Sequence, residues 1–174
     1  MKNKNRLLYV CHSNKGRSIA LAVYTDYFLK QKGLNLLVDS AGVSIEMIDS
    51  LRERGIDRAS QNTAKILQTE GIDISEHKVN YVGEKISGSD LILVSDELSL
   101  VRLRIEFPDY KEKSFLAKKY AGFSRDLEIF GPYAEKRRLK NPEWTELIGY
   151  EHMLREIKAV SKRVVKRLES ELGK

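Results

Sequence analysis

One stretch constrains this chain more than any other: Leu7-Leu8-Tyr9-Val10-Cys11-His12-Ser13-Asn14-Lys15-Gly16-Arg17-Ser18. An apolar run ends on the only cysteine in the protein, a polar loop follows, and an apolar helical pattern begins straight after Ser18. The run reads as a buried strand and the whole as strand, loop, helix. In such a loop the backbone N–H groups and the N-terminus of the following helix converge on one spot, which is a site for an oxyanion. Arg17 adds a planar fork of donors that matches phosphate oxygens. Cys11 stands at the base of the loop, where the same donors favour a thiolate, the nucleophilic form. The pattern is that of a phosphate cradle with a nucleophile at its floor. The plainer alternative is a small buried cysteine at a strand end. The strand before and the helix after put the motif where the chemistry needs it.

The rest of the chain supplies a scaffold for that loop. Ser18 to Lys32 carries Ile19, Ala22, Val23, Tyr27 and Phe28 at helical spacing, with Gly33 placed as a C-terminal cap. Leu36 to Asp39, running into Ser40-Ala41-Gly42, predicts a second strand, and strand–helix–strand at this spacing is a βαβ unit with parallel strands. Val43 to Arg58 is mixed, part loop and part short helix, and Ser60 to Glu70 reads as a helix closed by Gly71. The unbroken run Asp90-Leu91-Ile92-Leu93-Val94 predicts a strand covered on both faces. Asp96 to Glu106, with Leu98, Val101, Leu103 and Ile105, predicts a helix that stops before Pro108, and Lys113 to Leu116 a fourth strand. Phe123 to Pro142 is irregular. From Thr145 onward Leu147, Tyr150, Leu154, Ile157, Val160, Val164 and Leu168 form the apolar stripe of a long terminal helix. The expectation is an α/β fold: one doubly wound domain over residues 1–174, with a four-stranded parallel sheet flanked by helices. Ligands in such sheets bind beyond the carboxyl ends of the strands, and Cys11 is at such an end.

Composition narrows the function classes. No window approaches the apolar length of a membrane span, and the run after the charged N-terminus is too short for a signal segment. A single cysteine rules out an internal disulfide and suits a reducing compartment, so a cytoplasmic protein without membrane partners is expected. The net charge of +6 suits an anionic substrate. The densest basic cluster, Lys136-Arg137-Arg138-Leu139-Lys140, reads as a solvated loop or as a rim attracting acidic partners. No nucleic-acid module is recognisable, and the three histidines, at 12, 77 and 152, lack the spacing of metal ligands. Neither a metal nor a cofactor is implied, and the oligomeric state is not encoded in any legible pattern.

With these residues in view, the chain resembles the low-molecular-weight protein tyrosine phosphatases over nearly its whole length. The family loop of Cys, two residues, Asn, two residues, Arg, Ser appears as Cys11, Asn14, Arg17 and Ser18. Four further pieces follow in the family's order: Ser40-Ala41-Gly42, then Gly71-Ile72-Asp73 through His77, then Asp90 to Val94 with Asp96, then Pro108 to Lys113. The resemblance implies that Cys11 attacks phosphorus to form a phosphocysteine, while Arg17 and the amides of His12, Ser13, Asn14, Lys15 and Gly16 hold the phosphoryl oxygens. It also implies that Ser18 hydrogen-bonds the thiolate and that Asn14, Ser40 and His77 prop the loop. The partner expected is a phosphorylated protein or a small phosphate ester.

The pattern breaks at one point. The family's general acid is an aspartate in an Asp-Pro pair on a late loop, and this sequence contains no Asp-Pro. One alignment puts Gly131, before Pro132, at that position; another puts Asn141 there, before Pro142. Both remove the carboxylic acid, leaving Asp126, Glu128 or Glu135 as nearby substitutes. Under the first alignment Tyr133 becomes an aromatic wall beside the substrate, or else an ordinary loop residue. Lys15 either adds positive potential at the mouth or faces solvent. General acid catalysis contributes about 10²–10⁴-fold, so the expectation is a weakened phosphatase that favours good leaving groups. A phosphate-binding protein without turnover is the alternative. Arsenate reduction would need resolving cysteines that are absent, and a phosphocysteine carrier would not need Arg17.

Overall fold

The computed structural model describes residues 5–133 and 145–173. Four strands, β1 (Arg6–Cys11), β2 (Leu37–Gly42), β3 (Leu91–Val94) and β4 (Ser114–Leu116), form one sheet in the order β2-β1-β3-β4, every pairing parallel. Successive side chains of a strand alternate between its faces, and both faces here are apolar. Leu7, Tyr9, Leu91 and Leu93 pack into one core with α1 (Arg17–Gln31), α3 (Gln61–Thr69) and the terminal helix, α7 (Glu146–Leu172). Leu8, Val10, Ile92 and Val94 pack into a second core with α4 (Val82–Lys85) and α5 (Glu97–Glu106). The helix α2 (Ile45–Glu53) holds a satellite cluster of Ile48 and Leu51 against Val79. A 3₁₀ turn over Pro108–Lys113 leads into β4, and α6 (Ala117–Tyr120) follows. The expected doubly wound α/β sheet is what forms.

The caps account for the helix starts. Ser44, Ser60, Asp96 and Thr145 each accept a backbone N–H of the helix they open. Gly33 and Gly71, at φ +63° and +77°, close α1 and α3 in the left-handed conformation.

Two expectations need correcting. In α5 the residues that face the sheet are Leu100 and Leu103, while Leu98, Val101 and Ile105 are exposed. An all-round apolar sequence does not say which stripe is inside; Asp96 does, because its cap pins the first turn and so fixes the rotation of the helix. Tyr27 of α1 is likewise exposed, beside buried Phe28.

Parallel strands put all their carboxyl ends on one edge. Cys11 is in register with Gly42, and Val10 with Val94, so the ends of β1, β2 and β3 meet around the loop 12–16. The Ile129 amide donates to the Ser95 carbonyl at 2.7 Å, which fastens the late segment to the same edge.

Candidate active site

The loop between β1 and α1 is shaped from behind. Asn14 is fully buried and has φ +58°, a left-handed conformation that Asn tolerates better than most residues. Its Nδ2 donates to Ser18 Oγ and to Ser40 Oγ, both at 2.9 Å, while its Oδ1 accepts the Asn80 amide at 3.0 Å. The backbone N–H of Asn80 fixes which end of the Asn14 amide is oxygen. His77 Nε2 lies 3.1 Å from the Asn14 carbonyl, so the ring donates from that nitrogen. Burial holds His77 below the usual histidine range and favours this neutral form, against an opposing contribution from the hydrogen bond to Asn14.

This network directs one proton. Both Nδ2 hydrogens of Asn14 are used, one of them on Ser18 Oγ, so the Ser18 hydroxyl is left to donate to Cys11 Sγ at 3.0 Å. Ser18 and Cys11 are both buried, and a hydrogen bond to an ionised acceptor there is stronger than one to a neutral group. The arrangement aims a hydroxyl proton at the sulfur.

Arg17 enters from the first turn of α1. Its Nη1 donates to Asp96 Oδ2 at 2.8 Å and to the Ile129 carbonyl at 3.1 Å. Among the described residues Nε and Nη2 have no partner, so the free edge of the fork remains for an anion. Asp96 also accepts from Ser95 Oγ at 2.7 Å and from the Ser99 amide at 2.8 Å. Burial opposes its charge, but the Arg17 guanidinium and these donors together hold the carboxyl below the usual range. Asp96 is therefore an ionised clamp on Arg17.

Close approach at β2 is paid for by a glycine. A Cβ on Gly42 would stand 2.9 Å from the His12 carbonyl oxygen and from the Ser13 carbonyl carbon. Only glycine lets the loop lie against β2.

Cys11 opens into a cleft of about 160 Å³ lined by Ser13, Lys15, Gly16, Arg17, Ser60, Gly131, Pro132, Tyr150 and Met153. Two larger grooves, of about 600 and 500 Å³, do not contain the thiol, so size does not locate the chemistry. Lys15 Nζ donates to the Ile56 carbonyl at 3.0 Å, on the rim. Of the residues expected at the substrate, Asn14, His12 and Tyr133 are not among those lining this cleft. Asn14 is buried behind the loop, His12 lies off the cleft with its carbonyl on the Ser44 amide, and Tyr133 is exposed with its hydroxyl donating to Glu146 at 2.9 Å. Tyr150 is the aromatic residue among the described residues that line the cleft, and as one member of a long apolar stripe it carries no separate signal in the sequence. Ser60 was hidden in the same way by its role as a helix cap.

Gly131 lines the cleft, whereas Asn141 and the basic cluster 136–140 lie outside the described residues. Among the described residues no Asp or Glu lines it. Glu128 is engaged elsewhere, its Oε1 accepting the Glu97 amide at 3.0 Å; Asp126 is not part of the lining, and Glu135 is outside the described residues. The described residues contain no cluster of His, Cys, Asp and Glu able to hold a metal, and no helix long and apolar enough to cross a membrane.

The support for the loop can be measured. Asn14→Ala removes three side-chain hydrogen bonds and puts alanine at a positive φ, and should lower stability by about 3–5 kcal/mol in urea unfolding. Ser40→Ala, which removes one bond, should cost about 1 kcal/mol. Equal losses in the two variants would show that Asn14 is not the organising residue.

A family profile described as low molecular weight phosphotyrosine protein phosphatase matches residues 6–174. No curated protein sequence matches the chain. Solved structures share the fold. A YwlE mutant from Bacillus subtilis superposes with a TM-score of 0.76 at 20% identity, covering 95% of this chain and 99% of that one. The low molecular weight protein tyrosine phosphatase of T. tengcongensis gives 0.71 at 24% identity, over 93% and 98%. Wzb from Vibrio vulnificus, in complex with benzylphosphonate, gives 0.73 at 21% identity, over 94% and 99%.

Proposed function

Because the chain belongs to the low molecular weight phosphotyrosine protein phosphatase family, we propose that it hydrolyses aryl phosphate esters through a phosphocysteine formed on Cys11. The observation that carries this reading is the hydrogen bond aimed by Asn14 through Ser18 at Cys11 Sγ. A binding protein has no use for a prepared thiolate. Arg17 and the loop amides are the donors for the phosphoryl oxygens, whose charge grows as the P–O bond breaks. Gly16 and Arg17 open α1, so the positive end of that helix faces the same oxygens. Pro132, Tyr150 and Met153 offer apolar walls for a phosphotyrosine-like ring.

In the first half-reaction the thiolate attacks phosphorus, an S–P bond forms, and the aryloxide leaves. In the second, water attacks phosphorus and the thiolate is released, stabilised again by Ser18. The lack of a carboxylate among the described residues that line the cleft is the feature that favours weak turnover, and in the limit a phosphate-binding protein.

The experiment is to mix the protein with p-nitrophenyl phosphate, quench into neutral denaturant within milliseconds, and map the product by mass spectrometry. One phosphoryl group on the peptide containing Cys11 is the expected result. Release of p-nitrophenol with no such adduct at any time would exclude the covalent route.

A further inference from the structure

We propose that Tyr150 is the proton donor to the departing aryl oxygen, in the place of a carboxylic acid that none of the described residues brings to the cleft. The inference rests on the phosphatase reading and assigns the residue which that reading leaves open.

The described cleft residues can be sorted by what their protons are doing. The Ser60 hydroxyl donates to Thr63 Oγ1 at 2.7 Å and accepts the Thr63 amide at 3.2 Å. Lys15 Nζ is turned to the Ile56 carbonyl, and an arginine does not give up a proton. Ser13 belongs to the loop itself, and an alkoxide is too basic a product to be left behind. Asp96 is ionised on Arg17, and Glu128 caps α5. Tyr150 remains. It stands in the second turn of α7, half-buried, and no other described residue bonds its hydroxyl. Gly131 leaves this part of the cleft open: a Cβ built there meets no atom of the described residues within 4 Å.

The chemistry matches. The leaving group of phosphotyrosine is itself a tyrosine phenolate, so the proton would pass from one phenol oxygen to another within the cleft, as a general acid does. As the Cys11 Sγ–P bond forms and the P–O bond breaks, the Tyr150 proton goes to the aryl oxygen and the phenolate stays on the enzyme. In hydrolysis the water O–P bond forms, the S–P bond breaks, and the water proton returns to that phenolate. The sum is ester plus water to phenol plus phosphate.

The test compares Tyr150→Phe with wild type on phenyl phosphate, whose leaving group needs a proton, and on 2,4-dinitrophenyl phosphate, whose leaving group does not. Phenylalanine keeps the ring and its packing. The expected result is a loss in kcat/KM of about 10–100-fold on phenyl phosphate, at or below the lower end of general acid catalysis, and less than about 3-fold on the dinitrophenyl ester. Adding Gly131→Asp to Tyr150→Phe should restore phenyl phosphate turnover. An equal loss on both esters would make Tyr150 a packing residue and overturn the proposal, as would no loss on either. A phenyl-selective loss in Glu135→Gln instead of Tyr150→Phe would also overturn it. Wild type inert towards both esters would remove the phosphatase reading itself, a failure distinct from these.

Discussion

Cys11→Ser is expected to abolish hydrolysis of p-nitrophenyl phosphate, by roughly 10⁴-fold or more, the order lost when a covalent nucleophile is removed. A serine hydroxyl is not ionised near neutral pH. Among the described residues Ser18 is the side chain bonded to Cys11, and with its oxygen accepting from Asn14 it offers a proton rather than a base. The variant should nevertheless fold and bind phosphate, because the loop is held by Asn14, Ser40, His77 and the Asn80 amide, none of which needs the sulfur. Phosphate or vanadate should therefore raise the melting temperature of Cys11→Ser as it does that of wild type, by mass action on the folded state. Loss of both activity and ligand stabilisation would mean that the thiolate also holds the loop together. If wild type proves inert while phosphate still stabilises it, the protein binds phosphate without turning it over, and the cleft without a carboxylate is the reason.

Gly131→Asp is expected to raise kcat/KM on phenyl phosphate by about 10²-fold, at the low end of what a positioned acid contributes. Among the described residues no atom lies within 4 Å of a Cβ there, and Gly131 is not in the left-handed region, so the backbone accepts the side chain without strain. Gly131 lines the same cleft as Cys11 and Arg17. An aspartate there would face the leaving oxygen across the thiol. The gain should be small on 2,4-dinitrophenyl phosphate. It should be largest at acid pH and fade as the new carboxyl ionises, since only the protonated form donates. Gly131→Asn matches the size and polarity without the acid proton and should show no gain. An equal gain from Asp and Asn would mean that cleft shape, and not proton transfer, limits the wild-type enzyme.

The strand–loop–helix around Cys11 was legible because local chemistry dictates it. An apolar run, a nucleophile, a fixed offset to Arg17 and Ser18, and a helix start are all written within Leu7–Ser18. The parallel sheet was legible for a related reason: unbroken apolar runs such as Leu91–Val94 are soluble only if buried on both faces. The helix caps at Ser60 and Asp96 and the glycine stops after α1 and α3 follow from backbone groups that must find partners near in sequence. The missing Asp-Pro was equally plain, as an absence.

What the sequence could not say was which distant groups would meet. Whether Gly131 faced the thiol depended on the Ile129 amide finding the Ser95 carbonyl, a contact between segments that share no pattern. In the sequence Tyr150 is one more residue of an amphipathic stripe, and nothing there places it in the cleft with Cys11. Helical spacing gives the face of a helix but not its rotation against the sheet, and so could not separate exposed Leu98, Val101 and Ile105 from buried Leu100 and Leu103. Asp96 as the clamp on Arg17, the Asn80 amide on Asn14, and the need for glycine at position 42 all arise from approaches of about 3 Å between chain segments far apart in sequence. Short-range patterning determined the elements and the nucleophile. The packing of those elements, which minimises buried unsatisfied polar groups across the whole chain, decided what surrounds it.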